Sequence, residues 1–173
     1  MLKTLFFSAI TFLLTLGADA QSLYTNTSDG DSRILNGIVT KYILQNDTSF
    51  TWYATNQKGY TPDTAAVTAM GANKNNVRYI VFGGTWCSDT QNVLPKFFKL
   101  QEMSGVPDNN ISFFAMDRSK KTIGNIGDAF KITNVPTIVV MKDGKEIGRV
   151  VEYGTSGKFD KDLAEILTMK SER

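Results

Sequence analysis

Val77–Phe82, "VRYIVF", is a largely apolar run that stops at Gly83-Gly84 and passes through "TWC" into a different pattern. From Ser88 to Met103, Val93, Phe97 and Leu100 recur at helical spacing, with Leu94 and Phe98 beside them. The spacing predicts a strand followed directly by a helix. A second apolar run follows at 111–116, "ISFFAM", then a short helical stretch over Ile123–Phe130 and a third run at 137–141, "TIVVM". Asp143-Gly144 then makes a tight turn into "EIGRVVEY", the signature of a hairpin. Phe159–Met169 closes the chain as an amphipathic helix. The order β-α-β-α-β-β-α requires one parallel pairing through a crossover helix, with antiparallel strands added by the hairpin. The expected class is therefore α/β, a central mixed sheet flanked by helices.

Upstream the signals are weaker. Residues 21–32, "QSLYTNTSDGDS", are polar and turn-rich and read as a flexible lead-in. Ile34, Leu35, Ile38, Val39 and Tyr42 fall at helical spacing, which predicts a short amphipathic helix over 33–44. "FTWYA" at 50–54 reads as an aromatic strand, and Thr61-Pro62 as the start of a helix. Segment 33–76 is then an N-terminal helical and strand extension that either packs on a domain spanning 77–173 or extends its sheet, and Trp52, Tyr53 and Tyr60 either lie in that contact or form an exposed aromatic surface.

The first twenty residues have Lys3, an apolar run from Leu5 to Leu16 and Ala18-Asp19-Ala20. That is the pattern of a secretory leader with an A-x-A cleavage site. The run is short for a span of roughly 20 apolar residues. Residues 1–20 are expected to be removed, giving an exported chain, periplasmic or secreted; an uncleaved N-terminal anchor is the alternative. No nucleic-acid partner is expected at a formal charge of +2, and no membrane partner after cleavage.

One cysteine, Cys87, excludes an internal disulfide, and the absence of histidine excludes Ser-His-Asp and Cys-His mechanisms. A zinc site would lack its commonest nitrogen ligand. No cofactor or metal is expected. The thiol is left as a buried group, an intermolecular bridge or a reactive site.

Several features in fixed order resemble the thioredoxin family. "YIVFGGTWC" resembles its apolar strand leading into Trp-Cys, and Pro95, eight residues after Cys87, stands in the place of its helix-bending proline. "NVPT" resembles the loop whose proline is cis and faces the cysteine, and "TIVVMKDGKEIGRVVEYG" the hairpin that follows. The phrases "GTWCSDT", "DRSKKT" and "RVVEYG" point further to an exported bacterial branch. The resemblance implies a thioredoxin fold with a cis bond at Val135-Pro136. It also implies a site in which Cys87, Thr90 and Pro136 act, while Trp86, Val135, Ser88 and Asp89 contact substrate.

The sequence departs from that family's dithiol motif: Cys87-Ser88-Asp89-Thr90 has Thr90 where a second cysteine belongs, and Val81 replaces a buried acid six residues before Cys87. Reduction by two thiols of one chain is excluded. Cys87 at a helix start still lies among unpaired N–H groups, which stabilise an anion. Thr90 is expected to donate its hydroxyl to the sulfur, or else to serve as a plain capping residue, and Asp89 to face solvent. Lys120 and Lys121 read as a solvated loop or as a steering patch. Two readings stay open. One is monothiol exchange on protein cysteines or disulfides, with an external thiol or reductase as resolving partner and a Cys87–Cys87 homodimer under oxidation. The other is a redox-silent binding or scaffold module using the same groove.

Overall fold

A computed structural model describes residues 23–30 and 32–169. The leader assigned to residues 1–20 lies outside them. In chain order the elements are β1 (Tyr24–Asp29), β2 (Ser32–Val39), α1 (Lys41–Asn46), α2 (Trp52–Gln57), α3 (Thr64–Asn73), β3 (Val77–Gly83) and α4 (Ser88–Ser104). There follow β4 (Ile111–Ala115), α5 (Ile126–Ala129), β5 (Thr137–Lys142), β6 (Lys145–Val151) and α6 (Phe159–Met169). Short 3-10 turns precede α2, β4 and α5.

The strands form one sheet in the order β1-β2-β4-β3-β5-β6. Only β3 and β4 run parallel, joined by α4 as the crossover; the other neighbours are antiparallel. Both central residues of the β5–β6 turn, Asp143 and Gly144, have positive φ, the backbone that matches the twist of a hairpin.

β3 is apolar on both faces because both are covered. Alternation divides its side chains. Val77, Tyr79 and Val81 face a large core with α4 residues Val93, Leu94, Phe97 and Leu100 and α6 residues Leu163 and Leu167. Ile80 and Phe82 face a smaller cluster with Phe114, Met116, Val135 and Val139, and Trp86 and Cys87 pack on that cluster. The cysteine thus belongs to the thinner side of the sheet, where, among the described residues, α5 and neighbouring loops pack on the cluster.

Four expectations upstream are corrected. Residues 33–44 contain a strand, β2, which pairs with β4 inside the sheet, and only residues from Lys41 on are helical. The "FTWYA" segment is a 3-10 turn running into helix α2 instead of a strand. Tyr24–Asp29, inside the expected flexible lead-in, pairs along its whole length with β2. α3 begins later than Thr61: Asp63 is its cap, its carboxylate accepting the Ala65 N–H at 2.8 Å.

The extension is also tied to α4. A proline removes one helical N–H and leaves the carbonyl four residues back without its partner. For Pro95 that carbonyl belongs to Gln91, and Asn56 Nδ2 of α2 donates to it at 2.9 Å. Gln57 Nε2 donates to the carbonyl of Pro95 itself, also at 2.9 Å. At the far end of α4, buried Lys41 donates to Gln101 and Glu102 and pairs with Asp108. Burial opposes its ammonium, but the two carboxylates outweigh it and hold its pKa above the ordinary lysine value. Tyr53 is buried against Phe98, and Tyr60 packs on Phe159.

Candidate functional site

β3 ends at Gly83, and the chain turns sharply before α4. The Cys87 N–H donates to the Gly84 carbonyl at 2.9 Å, and the Cys87 carbonyl accepts the Gln91 N–H at 2.9 Å. Cys87 is therefore the N-cap of α4, with extended backbone angles. Ser88, Asp89 and Thr90 form the first turn, whose N–H groups have no acceptor within the helix. Gly84 is required here: a Cβ on it would lie 2.6 Å from the Trp86 indole, which folds back over it.

Cys87 is half-exposed as a residue, and its sulfur donates to the Val135 carbonyl at 3.3 Å. Val135 and Pro136 are buried, and the bond between them is cis. Trp86 lies beside the thiol, its Nε1 donating to the Met116 carbonyl at 2.9 Å. Of the expected site residues, Trp86, Cys87, Val135 and Pro136 come together. Ser88 is exposed at the helix start, and Asp89 is half-buried beside it.

Thr90 departs from its expected role. It is fully buried, and its hydroxyl accepts the Gly84 N–H at 3.2 Å, while the Cys87 thiol is bonded to Val135. Thr90 thus braces the turn that carries the cysteine, not the sulfur itself. It is not the helix cap either, since Cys87 holds that position. Val81 is fully buried in register with Phe113 and Ile138. A carboxylate there would have apolar neighbours across both strands.

Asp89 does not simply face solvent. Its Oδ1 accepts the Tyr153 hydroxyl at 3.0 Å. Partial burial raises the pKa of that hydroxyl, and the bond to the carboxylate and the nearby Cys87 act in the same direction. Sequence reasoning passed over Tyr153 as a site residue, as it did two others. Arg118, in "DRSKKT", stacks 5.4 Å over the Trp86 ring and pairs with Asp29 of β1. Thr85 is buried, donates to the Arg33 carbonyl at 2.8 Å and accepts the Leu35 N–H at 3.2 Å, which ties the turn to β2. In the same loop as Arg118, Lys121 pairs with Asp128 at the surface.

Among the described residues no group of three or more His, Cys, Asp and Glu side chains is arranged to hold a metal ion. No helix among them is long and apolar enough to cross a membrane. What the arrangement offers is a single half-exposed cysteine at a helix N-terminus, bonded to a cis-proline turn and packed with Trp86 on the same apolar cluster.

The comparisons agree with that geometry. The family model described as Thioredoxin matches residues 66–165. Over 79 residues the chain is 35% identical to a thioredoxin of Coprinus comatus, covering 46% of this chain and 71% of that one. It is 29% identical over 98 residues to a thioredoxin-like protein of Acanthamoeba polyphaga mimivirus, covering 57% and 68%. A Pseudomonas aeruginosa protein of unknown function superposes with a TM-score of 0.53 over 76% of this chain and 90% of that one; at 14% identity it shows the shared fold alone. The strand–turn–helix carrying Trp86-Cys87, the cis-proline turn against the sulfur and the match over 66–165 place this chain in the thioredoxin family.

Proposed function

We propose that this protein acts in thiol–disulfide exchange on cysteine-containing proteins, with Cys87 as its only nucleophile, and that it does so after export. Family membership supports redox chemistry of this general kind. The observation that carries the monothiol reading is the Cys87 sulfur itself. Its residue is half-exposed at the N-cap of α4 and the sulfur donates at 3.3 Å to Val135, with Thr90 in the place of a second thiol.

In the exchange the Cys87 thiolate attacks one sulfur of a substrate disulfide. The Cys87–substrate S–S bond forms as the substrate's own S–S bond breaks, and the second substrate sulfur leaves as a thiolate that takes a proton from water. No second thiol of the chain can resolve the product. An external thiol, from the substrate, a small molecule or a partner reductase, attacks the mixed disulfide and releases Cys87 as a thiolate. Across the full cycle the two electrons that reduce a substrate come from external thiols, while in isomerisation the substrate's own thiol closes the cycle without net reduction. Trp86 and the Val135–Pro136 turn form the walls of the groove, and an extended substrate segment would pair with the Val135 backbone. The export reading rests on the leader pattern before Gln21; protein recovered from a cell envelope or medium is expected to begin there.

The test is alkylation of the purified protein by iodoacetamide at neutral pH, native and unfolded. The exchange reading expects the native thiol to react faster than the unfolded one, and C87S not to react. A native thiol blocked until denaturation overturns it and leaves a redox-silent binding module.

A further inference from the structure

The turn between β6 and α6 contains a non-glycine residue in left-handed conformation, Glu152, with φ +54°, a backbone few such residues adopt. Its N–H donates to the Pro136 carbonyl at 2.7 Å, and its carboxylate accepts from Asn134 Nδ2 at 2.8 Å. The turn is thus fastened on both sides of Val135, the residue that accepts the Cys87 thiol. From this turn Tyr153 reaches α4, where its hydroxyl donates to Asp89 Oδ1 at 3.0 Å, a link between residues 64 apart in the chain.

Asp89 is two residues after Cys87, in the first turn of α4. A carboxylate there favours the helix end but opposes a negative sulfur beside it. Of the other charges around the groove, Glu152 is held by Asn134, and Arg118 is engaged by Asp29 and the Trp86 ring. Asp89 is held by Tyr153, on the β6 side of the helix start.

Resting on the reading of Cys87 as the exchange nucleophile, we propose that Tyr153 is a positioning residue: its hydroxyl keeps the Asp89 carboxylate turned to the β6–α6 turn, and so keeps Cys87 open to disulfides carrying negative charge. In the exchange the Cys87 thiolate bonds to one probe sulfur and the other departs as a thiolate, so a carboxylate swung into the groove opposes an anionic disulfide and attracts a cationic one. Loss of the hydroxyl frees that carboxylate without removing it.

The experiment compares rates of the reduced protein with dithiobis(nitrobenzoate), a dianionic disulfide, with cystamine, a dicationic one, and with neutral iodoacetamide. Y153F is expected to lower the anionic-to-cationic rate ratio by about threefold to tenfold, the effect of one partly solvated charge freed to turn toward the sulfur, and added salt to shrink the change. D89N is expected to raise the ratio by less than about twofold, since the carboxylate it removes is already held aside, and Y153F/D89N to match D89N alone. A Y153F ratio equal to wild type overturns the proposal, as does a double variant that retains the Y153F shift. A D89N ratio raised by about threefold or more would show the carboxylate already acting on the sulfur in wild type, and overturns the proposal whether or not Y153F folds. A wild-type thiol inert to all three reagents instead overturns the exchange reading itself, which separates the two failures.

Discussion

Beneath Cys87 the neighbours are buried and bonded to backbone. Thr85 holds β2 through Arg33 and Leu35, Thr90 accepts the Gly84 N–H, and Val135 and Pro136 close the base. Around the mouth the neighbours are exposed or half-exposed and bonded largely through side chains: Tyr153 to Asp89, Asn134 to Glu152, Arg118 to Asp29 and over Trp86. An unsatisfied buried group costs about 1–3 kcal/mol, while exposed pairs contribute roughly 0–1 kcal/mol. The base therefore governs whether the cysteine has a defined position. The mouth governs how fast it reacts, and with what. Substitutions below the sulfur should register in stability, and those around it in kinetics.

The sharpest break in that division is at Cys87 itself. C87S is expected to abolish mixed-disulfide formation completely while changing stability by less than about 1 kcal/mol; intact mass and a denaturant melt read the two effects separately. In the large core on the other face of the sheet, F97A removes a fully buried ring packed edge-on to Tyr79 and Phe98. A loss of about 3–5 kcal/mol is expected, seen as a lower urea midpoint with an unchanged slope.

T90C tests the base from another direction. The variant should gain insulin reductase activity absent from the wild type, measured as turbidity. It should also lose about 1 kcal/mol, because the acceptor of the Gly84 N–H is replaced by a weaker one. N56A leaves the Gln91 carbonyl unpartnered and is expected to cost about 1–2 kcal/mol. In a P95A background, where the helix can supply its own N–H, the cost should fall, and a double-mutant cycle measures the difference. Equal costs in both backgrounds would show that Asn56 does not answer the proline. Y153F, at the mouth, should stay within about 0.5 kcal/mol of wild type, and its whole effect should lie in the charge preference of the thiol.

The same contrast explains what was legible in the sequence. From Val77 onward each element carries its own apolar face, so the order of strands and helices and the hairpin at Asp143-Gly144 could be read locally. Trp86, Cys87 and Pro136 were legible for a related reason, as they sit in short motifs of fixed spacing. β2 was misread because Leu35 and Val39 lie four apart, a spacing that places them on one side of a helix and equally on one side of a strand. Pairing with β4 decided between the two. The aromatic "FTWYA" favours a strand by propensity. It is largely helical because Tyr53 packs on Phe98 and because Asn56 and Gln57 reach carbonyls of α4. Tyr153, Arg118 and Thr85 stand in the quoted phrases "RVVEYG", "DRSKKT" and "GTWCSDT", but their roles gave no local signal, since their partners lie on other elements far away in the chain.

The central claim is that Cys87 is a nucleophile whose mixed disulfide waits for an outside thiol. Its most direct measurement is intact mass spectrometry of the reduced native protein mixed with a disulfide-containing protein substrate, before and after addition of a small thiol. One adduct is expected, at Cys87, that persists until the thiol is added and then disappears with return of the free protein. An adduct that forms only after unfolding would contradict it.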